Sequence, residues 1–290
     1  MNYFSIKLLT ILFSLLYHSE SISDTIAKTL QDSSLKSVEN RDIKLVSVPV
    51  SGKVNIKNPR YLYIQAGLHG NETATSSFVE WLIRRTKKGK SLLNQLPPNT
   101  TIDFVPKASP DTWNKSRYNS NQINLNRNFA VFFGISTEPT GSAPFSEPET
   151  KAIKKLFEKR NYISAVDIHG YVNWIVTPSK PTAQHMSDKR QIRQYHRWKK
   201  QIASLTKTHL PHYALQEALA LGDGGAFEDW AFWERKSLAF CMEMNSKERL
   251  RPVSKNKSVD TWKEYEVYLF KVFSSALSIS EEEQNQLAEI

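Results

Sequence analysis

The chain has one cysteine, Cys241, in 290 residues. That excludes an intramolecular disulfide framework and leaves stability to the size of the core. It shows no internal repeat and no low-complexity linker, so neither a repeat array nor a string of modules is expected. No apolar run is long enough to cross a bilayer: "LLTILFSLLY", near the start, has ten residues, about half of the ~20 that a spanning helix needs. Acids are in short supply as well. Lys and Arg number 39 against 29 Asp and Glu, which gives a formal charge of +10 and a pI near 9.5. A chain this basic suits an anionic envelope or polymer as its surroundings. Nucleic acid competes for that role through "DKRQIRQYHRWKKQ", Asp188 to Gln201. Ile192, Tyr195, Trp198 and Ile202 fall on one side of that stretch, so it reads as a solvated amphipathic helix. No RNA- or DNA-binding motif accompanies it, and no nucleic-acid partner is expected.

What is present begins with a leader. Lys7 precedes the apolar run, and small residues at Ser21 and Ser23 follow it, the pattern of a secretory signal peptide over residues 1–23. The mature chain is expected to start near Asp24, to be exported to the periplasm, and to keep no membrane span. Residues 24–290 then form one catalytic domain. The 40% hydrophobic content is that of a globular protein with a substantial core.

Strand and helix patterns alternate along that domain. "IKLVSVPVSG", "RYLYIQAG", "TIDFVPK", "YISAVDIHG" and "SLAFCMEM" read as strands. "NETATSSFVEWLIRRTKKG" has helical spacing through Phe78, Trp81 and Leu82, with Gly89 as its stop. "SEPETKAIKKLFEKR" opens a helix with Ser146 as cap and Pro148 in its first turn. Further helices are expected from about Ser187 to Lys207 and over "DTWKEYEVYLFKVFSSAL", with the acidic tail "EEEQNQLAEI" as a frayed end. The alternation predicts a single α/β domain whose mixed, largely parallel sheet carries helices on both faces. The irregular stretch from Pro106 to Pro148 is long for a connection and is expected to carry function.

The chemistry starts at "GLHGNET", just behind "RYLYIQA". His69 and Glu72 are three residues apart in a strand-to-helix turn, and His169 ends the strand in "VDIHGY". Strand carboxyl ends are where open α/β sheets place their sites. Two imidazoles and one carboxylate suit a single catalytic Zn2+, which acidifies a water to a pKa of roughly 7. A carboxylate must then move the proton. Glu243, flanked by apolar residues in "AFCMEMN", is the candidate, because an acid in a buried strand is costly unless paired or at work. A strand-end residue facing solvent is the alternative.

The motifs "HGNE", "SRYNSNQINLNRNF", "SEPE", "DIHGY", "GGAFEDWAF" and "FCMEM", in that order, resemble a zinc metallocarboxypeptidase of the carboxypeptidase A family, in its bacterial murein-peptide-cleaving branch. The resemblance covers about Arg60 to Asn245. It implies His69, Glu72 and His169 as zinc ligands and Glu243 as general base and acid. It implies Arg117 as the group that polarises the scissile carbonyl, and Asn126 and Arg127 as the grip on the substrate's terminal carboxylate, where a guanidinium forks onto an anion. Tyr171, two residues after His169, joins the substrate-binding set by the same resemblance.

Three positions depart from the family. Asn71 stands in place of an arginine, and Asn124 in place of the aspartate that orients the first zinc histidine. An ungapped count puts Leu221 where a mobile substrate-binding tyrosine is usual, leaving Tyr213 as a possible substitute. The same count puts Glu228 at the floor of the side-chain pocket, where an acid selects a basic terminal residue; a helix cap, or a surface pair with Arg235 or Lys236, is the alternative. The expected substrate is a peptide with a free C-terminal carboxylate. A murein peptide cut between γ-D-glutamate and meso-diaminopimelate is preferred, with removal of C-terminal Lys or Arg from ordinary peptides as the alternative. A binding protein that keeps the fold without the chemistry is the reading from another class.

Overall fold

The computed structural model describes residues 35–52, 58–182, 188–245 and 258–288. The leader and the expected mature start lie outside the described residues. In chain order the elements are β1 (Val46–Pro49), β2 (Arg60–Ala66), α1 (Thr73–Lys87), β3 (Thr100–Val105), α2 (Pro148–Lys159), β4 (Tyr162–Gly170), β5 (Trp174–Thr177), α3 (Lys189–His209), β6 (Ala214–Glu217), α4 (Phe227–Trp233), β7 (Leu238–Met244) and α5 (Ser258–Ala288). The strands form one sheet ordered β1-β3-β2-β4-β7-β5-β6. Its centre, β3-β2-β4-β7, is parallel throughout. β1 and β5 are antiparallel to their inner neighbours, and β6 runs parallel to β5 at the edge.

Register and aromatic contacts show how both faces are covered. Tyr63, Ala165 and Ala239 lie abreast, as do the next residues along, Ile64, Val166 and Phe240. Successive residues of a strand point to opposite faces. On one face Tyr63 meets Phe157 of α2 and Phe227 of α4, at ring-centroid distances of 5.0 and 6.0 Å. On the other, Phe240 meets Trp198 of α3 and Tyr268 of α5, and Phe78 ties α1 to α5 through Trp262 and Tyr265. Double coverage explains why β4 and β7 read as near-continuous apolar runs.

Details differ from the sequence expectation for local reasons. The cap of α2 is Glu147, with Pro148 at the first helical position. Ser146 is displaced because Asn128, from the preceding loop, does the capping: its Oδ1 accepts from Glu147 N at 3.2 Å and from the Thr150 hydroxyl at 2.5 Å. In α3 the inner stripe is Gln191, Tyr195, Trp198, Ile202 and Thr206, with Ile192 only half-buried. α5 runs through Ala288, so the acidic tail expected as a frayed helix end continues that helix. The four-residue strands β5 and β6 and the short α4 were not expected, being too brief to show a period. Among the described residues, no helix is long and apolar enough to cross a membrane.

Candidate metal centre and active site

The turn after β2 is shaped by close packing. Asn114 N donates to Gly70 O at 2.7 Å and Asn71 N to Ser116 O at 3.0 Å, and a Cβ on Gly70 would lie 2.2 Å from Thr112 O. Only glycine fits between the flanking residues of the turn. The constraint holds His69 beside Glu72, which stands at the N-cap position of α1 without a side-chain capping bond. β4 delivers His169 from the other side, level with Glu243 on β7. Paired residues of adjacent strands face the same way, so both side chains emerge together at the carboxyl ends of the central strands.

The three groups converge. His69 Nδ1 is 3.0 Å from Glu72 Oε1, His169 Nδ1 is 3.1 Å from Glu72 Oε2, and the two Nδ1 atoms are 3.1 Å apart. All three residues are buried. The outer nitrogens fix the tautomers. His169 Nε2 donates to Asp167 Oδ2 at 2.7 Å. His69 Nε2 donates to Asn124 Oδ1 at 2.9 Å, and that amide is oriented by Asn126 N on its oxygen and by Glu138 Oε2 beneath its nitrogen, at 2.8 Å. With both protons on Nε2, two Nδ1 lone pairs and a carboxylate aim at one point, an arrangement a divalent cation satisfies. Burial lowers the pKa of His69, which suits a neutral ligand. At His169 burial is outweighed by Asp167 and Glu72, which raise the pKa; the field that attracts a proton there is also the field a cation meets. Two histidines and a glutamate are the donor set of a catalytic zinc site, and His69, Glu72 and His169 would hold one Zn2+.

Around this centre stand the other groups read from the sequence. Glu243 has Oε2 shut away from solvent without a hydrogen-bond partner. Burial raises its pKa to about 7, against the pull of His169 and with the push of Glu72. The residue is half-buried, with Oε2 turned inward, and so differs from a strand end open to solvent. Arg117 Nη1 is 3.1 Å from His69 Nδ1, while its Nε and Nη2 fork onto Glu138 at 3.1 Å each. Arg127 also donates to Glu138, at 3.3 Å, and pairs closely with Asp223. Asn126 and Arg127 form a one-turn 3-10 helix, Leu125–Arg127, and Asn126 Oδ1 accepts from Phe227 N at 2.8 Å. Gly225 backs this turn at a φ of +80°, and a Cβ there would lie 2.3 Å from Arg127 O.

Glu228, on α4, is 2% exposed, and its Oε2 has no partner. Burial first, then Asp229, drives its pKa well up. The surface pair with Lys236 or Arg235 does not form: Lys236 is held by Asp188 and Gln191, and Arg235 by Phe157 O. Tyr171 accepts from Ala74 N at 3.1 Å, tying the end of β4 to the first turn of α1. Leu221 packs with Val176, Ala218, Ala226 and Cys241. The Tyr213 hydroxyl is 2.9 Å from that of Tyr265 on α5. Sequence reading missed Asp167, Glu138 and Asp223. Asp167 had a signal, because it lies two residues before His169 on a strand and shares its face. Glu138 and Asp223 had none, since loops bring them in.

The zinc carboxypeptidase family matches residues 29–274, and the chain belongs to that family. Human carboxypeptidase D is 30% identical over 149 residues, 47% of this chain and 10% of that protein, so the chain spans only a tenth of the length of this relative. Among solved structures, a metallocarboxypeptidase from Pseudomonas aeruginosa in complex with (2-guanidinoethylmercapto)succinic acid superposes with a TM-score of 0.58 at 18% identity, over 84% of this chain and 63% of that one. The murein-tripeptide amidase MpaA from Escherichia coli O157 gives 0.52 at 17% identity, over 83% and 91%. At these identities the structures attest the shared fold.

Proposed function

We propose that the chain is an exopeptidase that removes a basic residue, lysine or arginine, from the carboxyl end of peptides. Zinc, when bound, supplies a Lewis acid and an acidified water. The protein's part follows from the groups beside it. Glu243, with one oxygen unpaired and its proton affinity raised by burial, takes a proton from the attacking water and returns it to the leaving amine. Arg117, adjoining the His69 side of the centre, stabilises charge that develops on the scissile carbonyl oxygen. Arg127, helped by Asn126, receives the terminal carboxylate, and Tyr171 flanks the substrate.

One observation carries the preference for a basic residue: Glu228 is buried with an unpaired oxygen, and no cation among the described residues is paired with it. A buried acid of this kind stays protonated until a positive group arrives, and a guanidinium or ammonium entering the pocket would supply one. The ligand of the Pseudomonas relative carries a guanidinium on one arm and carboxylates on the other, which supports the same reading here. A murein peptide ending in diaminopimelate is the second reading. It presents a carboxylate and an amino-bearing far end, and the coverage of 91% of the murein amidase favours keeping it. Action in the periplasm accords with either substrate.

The test is product analysis by mass on peptides ending in Lys, Arg, Phe or Glu and on murein tripeptide. Release of Lys and Arg, well ahead of Phe and Glu, supports the proposal. Release of diaminopimelate alone transfers it to the second reading. Equal release of Phe or Glu removes the pocket argument.

A further inference from the structure

The two histidine arms of the centre are built differently. His169 Nε2 rests directly on a carboxylate, Asp167, at 2.7 Å. His69 Nε2 rests on an amide, Asn124, at 2.9 Å, and the far side of that amide donates to Glu138 at 2.8 Å. The arms thus end in the same charge, but one has a neutral amide inserted. An amide in this position transmits polarity: with its N–H2 on a carboxylate, its oxygen becomes a better acceptor for the imidazole N–H. Glu138 comes from the irregular stretch between β3 and α2, with a side chain 27% exposed. It also forks onto Arg117, whose third nitrogen adjoins His69.

We propose that Glu138 is a positioning residue of the metal centre: it acts through Asn124 to fix the tautomer and orientation of His69, and through its fork to fix Arg117 beside it. The proposal rests on the metal centre described above. Carboxylates one step removed from a ligand histidine tune metal affinity by about 10–100-fold, and an inserted amide leaves Glu138 within that role. A different assignment is available to the same residue. Glu138 also touches Arg127, so it could be a plug over the site of the substrate carboxylate, and the two roles have opposite consequences.

The experiment uses the full chain with Glu138→Gln, Asn124→Asp and the double variant. Zinc affinity is measured by competition with a chromophoric chelator, together with kcat and KM on one peptide. Melting of the zinc-free proteins checks folding, and Glu138→Ala is carried alongside should Glu138→Gln fail to fold. Glu138→Gln is expected to weaken zinc binding about 10–100-fold and to lower kcat. In the Asn124→Asp background, where a carboxylate meets His69 directly, the same change is expected to cost less than about threefold. Unchanged zinc affinity in Glu138→Gln overturns the proposal, as does an equal loss in both backgrounds. A fall in KM with zinc affinity intact also overturns it, and assigns the plug instead. A native chain that takes up no zinc fails the metal centre itself, an outcome separate from native uptake with an indifferent Glu138→Gln.

Discussion

Asp103 and Glu243 are acids on strands of the same sheet, and their surroundings are opposite. Asp103, on β3, is closed on every side: Arg160 Nη1 reaches both its oxygens at 2.6 Å, Tyr162 donates at 2.7 Å and Ser47 at 2.5 Å. Glu243, on β7, keeps a buried oxygen with no hydrogen-bond partner among the described residues, and Glu228 on α4 does the same. A buried charge whose partners are all supplied by the fold contributes cohesion and leaves nothing for a ligand. Burial raises the pKa of all three acids, Asp103 included, so what sets Glu243 and Glu228 apart is the buried oxygen left for a group from outside. The boundary between the two regions runs along the sheet, with the closed network toward β1 and β3 and the open acids at the carboxyl end of β7 and on α4.

The contrast can be broken at either end. On the open side, Glu243→Gln should lower kcat by about 10²–10⁴-fold while the melting temperature holds or rises, since an acid with a buried, unpartnered oxygen is removed. On the closed side, Arg160→Met should cost about 3–5 kcal/mol of stability, because Asp103 is left buried without its cation, with only the Tyr162 and Ser47 hydroxyls on it, yet kcat per folded molecule should stay at the native value; denaturant titration beside active-site titration measures both. Zinc at about a hundred times its dissociation constant should stabilise the native chain by about 2.7 kcal/mol, an increment that disappears in His169→Ala. Glu228→Gln should reduce the preference for a basic over an apolar terminal residue by about 1.5–3 kcal/mol, the worth of a hydrogen bond to a charged group, as read from the ratio of kcat/KM values.

The smallest effect sharpens the comparison. Glu138 lies among the open groups but is closed by its partners. Against the cost of partial burial, Arg117, Asn124 and Arg127 hold its carboxyl at about 2, below the ordinary 4.5. A carboxyl depressed by folding contributes stability that is complete above the unfolded value and lost as pH falls through the folded one. The stability gap between the native chain and Glu138→Gln should therefore shrink from pH 5 to pH 2, and be constant above pH 5. A gap that widens on acidification would contradict the ion-pair description.

Legibility in the sequence tracks the length of the signal. β2, β4 and β7 declare themselves through runs of apolar residues, and the ligands His69, Glu72 and His169 through their places at strand ends. The position of Asn124 against His69 was legible from its motif and is realised at 2.9 Å. What escaped is tertiary. β5 and β6 are strands because β7 offers an edge for β5 and β5 one for β6, a fact no four-residue window contains. Ser146 lost its capping role to Asn128 across a loop. Glu138 and Asp223 come together on Arg127 although they are 85 residues apart in the chain, and only the meeting of the β3–α2 loop with the β6–α4 connection makes that pairing.

His69, Glu72 and His169 would hold one zinc ion, and we propose that removal of a single C-terminal residue depends on it. The most direct test strips the chain of metal and returns zinc in measured steps, following product mass and zinc content together. The account predicts that release of one terminal residue rises in proportion to added zinc and levels off at one ion per chain, with no internal cuts. Hydrolysis that persists in the stripped chain, or products cut within the peptide, would contradict it.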